Sequence, residues 1–208
     1  MFINIRPFKT SDLVQLIHVY RSAFAEPPWN EFMKCSCCNV EYSKKEVDSS
    51  NRGQKCKKCD QPLNLVEFWS ETEITEDLNY ASSQQNPLIL VAESKNVIIG
   101  MSWGYKIPLE KFPFLTGKVS PESNYMDEIA VRGDSRLRGI GTIIGETYIS
   151  KVRQQGLKEI VLRTDERNTS SMKLFNKLGL SSISDLDSSR GKVYDPEFTN
   201  RIYLRREL

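Results

Sequence analysis

Four cysteines stand in two pairs, Cys35-x-x-Cys38 and Cys56-x-x-Cys59, with 17 residues between the pairs. Zinc takes four thiolates in a tetrahedron, and each Cys-x-x-Cys turn offers two from one side. Asn39 and Asp60 follow the pairs, where such a turn needs a left-handed backbone that Asn and Asp tolerate. The spacing predicts a structural Zn2+ held by Cys35, Cys38, Cys56 and Cys59 in a ribbon. Iron is the other metal that suits four thiolates. Cys37 is left over, and a disulfide or redox pair is the alternative use of these thiols. Large aliphatic residues nearly vanish from Cys35 to Cys59. Metal binding would supply the folding free energy that this composition lacks.

A second constellation is Val131-Arg-Gly-Asp-Ser-Arg136-Leu-Arg138-Gly139-Ile-Gly141-Thr142. The first amides of a helix lack internal partners and sit at the positive end of its dipole, and glycines let an anion approach them. With Arg136 and Arg138 adding charge, the turn reads as a cradle for phosphate or pyrophosphate. It is no Walker A loop, since no Gly-Lys-Ser/Thr follows. It is no dinucleotide fingerprint either, because the third glycine, Gly145, comes one residue late. His18 is the only histidine and sits on a helix stripe, which argues against Ser-His-Asp chemistry or a histidine-ligated metal.

The elements that must position these residues follow from periodicity and turn signals. Phe2–Phe8 reads as a strand, and a helix capped by Thr10 or Ser11 carries Leu13, Leu16, Ile17, Tyr20 and Phe24 before Pro27-Pro28. Ser70-x-x-Glu73 is a capping box for a second helix running to about Ser82. Leu88–Glu93 and Val97–Lys106 form a hairpin about Ser94–Asn96, and residues 108–121 form a loop. Tyr125–Val131 is a strand whose alternation puts Glu128 on the face opposite Asp127 and Ile129. Ile140, Ile144, Tyr148 and Val152 stripe a helix that ends at Gly156. A strand over Ile160–Leu162, a helix capped by Asn168 and closed by Gly179, and strands near Leu180–Asp185 and Arg201–Arg206 complete a mixed α/β layout. Ser188–Pro196 reads as a loop between the last two strands.

The composition is that of a globular chain, 39% hydrophobic and 27% charged over 208 residues. The net charge of +2 excludes a generally basic nucleic-acid coat. Between Lys34 and Pro62 seven Lys/Arg meet four Asp/Glu, with Tyr42 as the only aromatic, so the insert's case for nucleic acid is weak too. No apolar stretch approaches the roughly 20 residues of a membrane span, and no signal peptide opens the sequence. A cytoplasmic protein, monomer or homodimer, is the expectation.

Taken in order, these motifs resemble the GCN5-related N-acetyltransferase superfamily. Tyr125-Met-Asp-Glu-Ile-Ala-Val131 is similar to the family's fourth strand, with Arg136 five residues after the valine. Arg136-x-x-Gly139-x-Gly141 is similar to its pyrophosphate loop. Asn168-Thr-Ser-Ser-Met-Lys-Leu-Phe-Asn-Lys-Leu-Gly-Leu180 is similar to its late helix, and Ile5-Arg6-Pro7 with Asp12-Leu13 to its opening. The resemblance covers the chain except for the insert at 34–62, which falls between the first two helices.

The resemblance implies a mostly antiparallel sheet flanked by helices that binds acetyl-CoA where the fourth and fifth strands splay. Backbone groups of Ile129 and Val131, with Ala130 between them, would pair with the pantetheine arm. Amides of Leu137, Arg138, Gly139, Ile140, Gly141 and Thr142 would hold the pyrophosphate beside Arg136, and Asn168 would lie near the cofactor. An amine would attack the thioester directly, with Glu128 as base. Where the family often has a tyrosine to protonate the departing sulfur, this chain has Phe175, so the usual general acid is missing. Glu26, Trp29, Asn30, Glu31, Glu67, Glu71 and Glu73 flank the insert and would suit a cationic acceptor. Two acceptors stay open, a small cationic amine and a protein lysine or N-terminus. The alternative is a degenerate module that binds acetyl-CoA or touches nucleic acid through the ribbon.

Overall fold

The computed structural model describes residues 2–24, 32–38, 40–43, 55–66, 70–136, 138–186 and 188–208. Glu26, Trp29, Asn30, Glu31, Asn39, Glu67 and Leu137 lie outside the described residues.

The main sheet is built from β1 (Asn4–Pro7), β5 (Leu88–Ser94), β6 (Val97–Lys106), β7 (Ser123–Val131), β8 (Glu159–Asp165), β10 (Arg201–Glu207) and β9 (Ser181–Ser182), in that spatial order. Every pairing is antiparallel except β7 with β8. Two helices, α1 (Leu13–Phe24) and α2 (Glu71–Ser83), cover one face, where Tyr20, Ile74 and Leu78 pack on Met101, Trp103 and Tyr105. The helices α3 (Ile140–Gln154) and α4 (Thr169–Lys177) cover the other, where Tyr148, Val152 and Phe175 pack on Leu90, Met126, Ile160 and Leu162. The alternation within each strand divides its side chains between these two cores.

Local expectations hold in most places. Ser70 and Glu73 close a reciprocal capping box, Asn168 caps α4 by accepting from Ser171 N, and Gly156 and Gly179 take positive φ past the helix ends. The hairpin turns on Lys95 and Asn96, both at positive φ. The start of α1 differs: Thr10–Asp12 form a short 3-10 turn, and the cap is Asp12 Oδ2 accepting from Lys9 N at 2.8 Å. The predicted strand near Leu180–Asp185 shrinks to Ser181–Ser182. The 108–121 loop contains two 3-10 turns, Leu109–Lys111 and Pro113–Leu115.

A larger difference lies in β7. Trp103 pairs with Glu128 and Gly104 with Met126, so Asp127 is an extra residue in the ladder. Such a bulge breaks alternation and increases twist. β7 then pairs with β8 only through Ser123, Asn124 and Tyr125, opposite Glu159, Ile160 and Val161. Below this point the strands are fastened together: the buried Glu159 carboxylate accepts from Ser123 Oγ at 2.6 Å and Ser120 N at 3.0 Å. Beyond it they part.

The insert forms its own small sheet from β2 (Phe32–Cys35), β3 (Glu41–Ser43) and β4 (Leu63–Val66), ordered β3-β2-β4. Leu63, read from sequence as the resumption of the globular pattern, pairs with Cys35 and packs in the ribbon's own core with Cys35 and Cys56.

A Cβ on Gly104 would lie 2.1 Å from Tyr125 O and 2.3 Å from Tyr148 Oη. Gly104→Ala should therefore lower stability by about 2 kcal/mol or more, read as a reduced urea midpoint with unchanged slope.

Candidate active site

The gap between β7 and β8 is a small cavity lined by Asp127, Glu128, Leu162, Arg163 and Phe175. It shares Phe24, Ile129, Asn168 and Ser171 with a groove of about 630 Å³ that runs out to the start of α3. Ile129, Ala130 and Val131 line that groove; they pair with Ser102, Met101 and Gly100 of β6, and among the described residues their other edge has no strand partner. Apart from Val131 O, which accepts from Arg136 Nε, that edge can bond an extended ligand.

At the outer end Gly139 takes φ 77° and begins α3 with no side chain capping it. The next residues, Ile140, Gly141 and Thr142, line the groove with their first-turn amides. A Cβ on Gly141 would come 3.2 Å from Leu174 Cδ2, so a side chain here would tighten the packing of α3 on α4. Arg136 lines the groove, yet its Nη2 donates to Ala23 O at 2.6 Å and its Nε to Val131 O at 3.4 Å. It thus also fastens the loop to α1, as does Gly133 N donating to Ser22 Oγ at 3.0 Å. Arg138 is exposed and is not among the groove's lining residues. Lys173 and Lys177 of α4 are, a contribution the sequence reading missed because exposed helix lysines carry no signal of their own.

At the inner end the bulge overturns one expectation. Asp127 and Glu128 do not point to opposite faces: Glu128 Oε1 accepts from Tyr20 Oη at 3.0 Å, Asp127 Oδ2 accepts from Tyr105 Oη at 3.2 Å, and both tyrosines belong to the core under α1 and α2. Ile129 faces the other way, as expected. Burial first, then the neighbouring Asp127 charge, raise the Glu128 pKa to about 8 against the opposing Tyr20 bond. Burial and the charge of Asp77 on α2 raise Asp127 to about 6, against the Tyr105 bond and Arg163. Burial and Glu128 keep Tyr20 protonated, so it stays a donor. Arg163 is engaged by Asp195, Nη1 to Oδ2 at 2.6 Å. Phe175 is buried against the cavity and brings no hydroxyl. Tyr20, Asp77, Asp127 and Arg163 escaped the sequence reading, since only the packing of α1 and α2 on the bulged strand makes them neighbours.

A profile of the acetyltransferase (GNAT) family matches residues 56–180, more than half of the chain. The chain belongs to this family. No curated protein matches the sequence. Among solved structures, PaiA N-acetyltransferase from Thermoplasma acidophilum in complex with coenzyme A is similar over 100% of both chains, at 16% identity and TM-score 0.62. The ribosomal-protein-S18-alanine N-acetyltransferase of Escherichia coli is similar at 15% identity and TM-score 0.57, over 99% of this chain and 94% of the other. A Bacillus anthracis protein assigned as a streptothricin acetyltransferase, in complex with acetyl coenzyme A, gives 17% identity and TM-score 0.56 over 100% and 98%. The fold is that of a GNAT acetyltransferase, an acyltransferase that works with CoA. No helix among the described residues is long and apolar enough to cross a membrane.

His18 is exposed rather than packed in the apolar stripe of α1. Cys35, Cys38, Cys56 and Cys59 do come together: their sulfurs all lie within 4.8 Å of one another, with Cys35–Cys59 at 3.3 Å and Cys38–Cys56 at 3.5 Å. Cys37 is exposed and outside the cluster. Asp60 has φ 58°, as expected of its turn.

A carboxyl whose pKa is raised by folding favours the native state at low pH and opposes it once ionised. Glu128 rises from 4.5 to about 8, so its contribution is full below pH 4.5 and is lost as pH climbs to 8. Glu128→Gln stays neutral throughout. Urea unfolding should show the variant gaining on the wild type steadily across that window; a constant difference would contradict the raised pKa.

Proposed function

We propose that the protein transfers an acetyl group from acetyl-CoA directly to a primary amine, either of a small cationic molecule or of a protein lysine or N-terminus. The observation that carries this reading is the half-buried Glu128 at the inner end of a groove whose outer end is an uncapped helix start. The Thermoplasma and Bacillus neighbours hold CoA and acetyl-CoA, which supports the same ligand here. In this reading amides of Gly139 to Thr142 hold the pyrophosphate, with Lys173 and Lys177 adding charge. The open edge of Ile129–Val131 pairs with the pantetheine arm, and Asn168 borders it.

The acceptor amine attacks the thioester carbon. A C–N bond forms, and the C–S bond breaks as the tetrahedral intermediate collapses. Glu128 takes the ammonium proton, and a pKa near 8 suits a base working near neutrality. Its bond from Tyr20 holds the carboxylate toward the cavity. Phe175 has no proton to give the departing thiolate, which takes one from water. A CoA thiol is acidic enough to leave this way. Phe175 also sustains a second reading, a module that binds acetyl-CoA without turning it over.

Thiol release from acetyl-CoA with a panel of amines decides between the two. Wild type should release thiol, and Gly139→Asp should abolish acetyl-CoA binding in calorimetry, because the new carboxylate caps the amides meant for pyrophosphate. Binding without release for every amine would favour the module.

For the insert we assign a structural zinc. A tetrahedral ion about 2.3 Å from each sulfur needs sulfurs about 3.8 Å apart; three of the sulfur pairs lie 3.3, 3.5 and 3.7 Å apart, and all lie within 4.8 Å. Lys58 N also donates to Cys56 Sγ at 3.4 Å, a bond that steadies a thiolate. Chelator-free protein should carry about one zinc per chain, and Cys56→Ser should lose it; zinc-free wild-type protein with an intact ribbon would refute the assignment.

A further inference from the structure

The small cavity at Glu128 and the long groove meet at four residues, Phe24, Ile129, Asn168 and Ser171. In the acetyltransferase reading the thioester lies at this junction. Its carbonyl carbon has to reach the cavity while its pantetheine arm follows the groove, and sulfur is the atom that joins the two. Whatever meets the departing sulfur therefore stands at the junction.

Phe24 and Ile129 bring only hydrocarbon side chains there. Asn168 is engaged in capping α4, its Oδ1 accepting from Ser171 N at 3.1 Å. Ser171 is half-buried, and among the described residues its Oγ has no hydrogen-bond partner. Phe175, four residues on and so about one turn along the same helix face, lines the same cavity. The cavity's other side-chain donors are placed elsewhere. Arg163 is held by Asp195, and Thr164 lines the cavity but not the groove. The helix itself favours an anion at this point. Ser171 lies in the first turn of α4, at the positive end of its dipole, and no residue of Thr169–Lys177 is acidic.

We infer that Ser171 is a catalytic residue that acts on the leaving group. As the C–S bond breaks, its electron pair stays on sulfur, and Ser171 Oγ–H donates a hydrogen bond to that thiolate. The serine keeps its proton, and the thiolate takes its own from water. A donor set in place before charge develops stabilises that charge without the reorientation that water needs. The hydroxyl thus serves the sulfur where Phe175 brings no group. This inference rests on the acetyltransferase reading and adds to it a residue for the departing thiol.

The thiol of bound CoA reports on Ser171 without any acceptor. Ultraviolet absorbance of the thiolate, read against the desulfo-CoA complex, gives its pKa. Ser171→Ala should raise that pKa by about one unit or more, because a hydrogen bond to the charged form is lost. With the amine of the panel that releases thiol fastest, the same variant should lower kcat by about tenfold or more and leave the KM for acetyl-CoA unchanged. Ser171→Thr keeps the hydroxyl and should stay near wild type in both measurements. A thiol pKa equal in wild type and Ser171→Ala, or a raised KM with kcat unmoved, would overturn the inference and leave the acetyltransferase reading standing. Wild-type protein that binds no CoA would overturn both.

Discussion

Two neighbouring strands share hydrogen bonds for three residues and then separate. The rest of the site depends on that parting of β7 and β8. A sheet that stayed paired would leave no unsatisfied backbone edge at Ile129–Val131 and no cavity beside Glu128. The parting is held open from both ends. Glu159 and the two serines of the β7 approach pin the strands where they begin. The extra residue Asp127 twists β7 away from where β8 runs. Gly104, opposite the bulge, has no room for a side chain, so the partner strand is adapted to the distortion.

The same bulge creates the electrostatics. In a regular strand Asp127 and Glu128 would face opposite cores and titrate independently. Bulged, they share one partly desolvated recess, where burial and the Asp127 charge make Glu128 harder to ionise, and burial and the Asp77 charge do the same for Asp127. Two tyrosine hydroxyls offset part of that cost and orient the carboxylates. At the far end of the groove the logic is inverted: an uncapped helix start offers donors and positive potential, and lysines of α4 add to it.

The ribbon obeys a different physics. Among the described residues its core holds Cys35, Cys56 and Leu63, with Cys38, Val40 and Cys59 around them. Four sulfurs converge beside this cluster, within 4.8 Å of one another. The family profile begins at Cys56, within the second pair, and so leaves the first pair outside the match.

The sequence alone determined what depends on local chemistry. The four cysteines declared their cluster through spacing. The glycines after Arg138 declared a helix start open to an anion, and Ser70 with Glu73 declared a cap, because each signal acts within one turn of chain. Order of motifs was enough to place the chain in its family. Only the tertiary structure decided which face Asp127 takes, that Arg136 reaches the Ala23 carbonyl, and that Tyr20 bonds Glu128. Those contacts join residues dozens of positions apart. A bulge is set by packing between strands rather than by the strand's own residues, so the alternation in Tyr125–Val131 pointed Asp127 the wrong way.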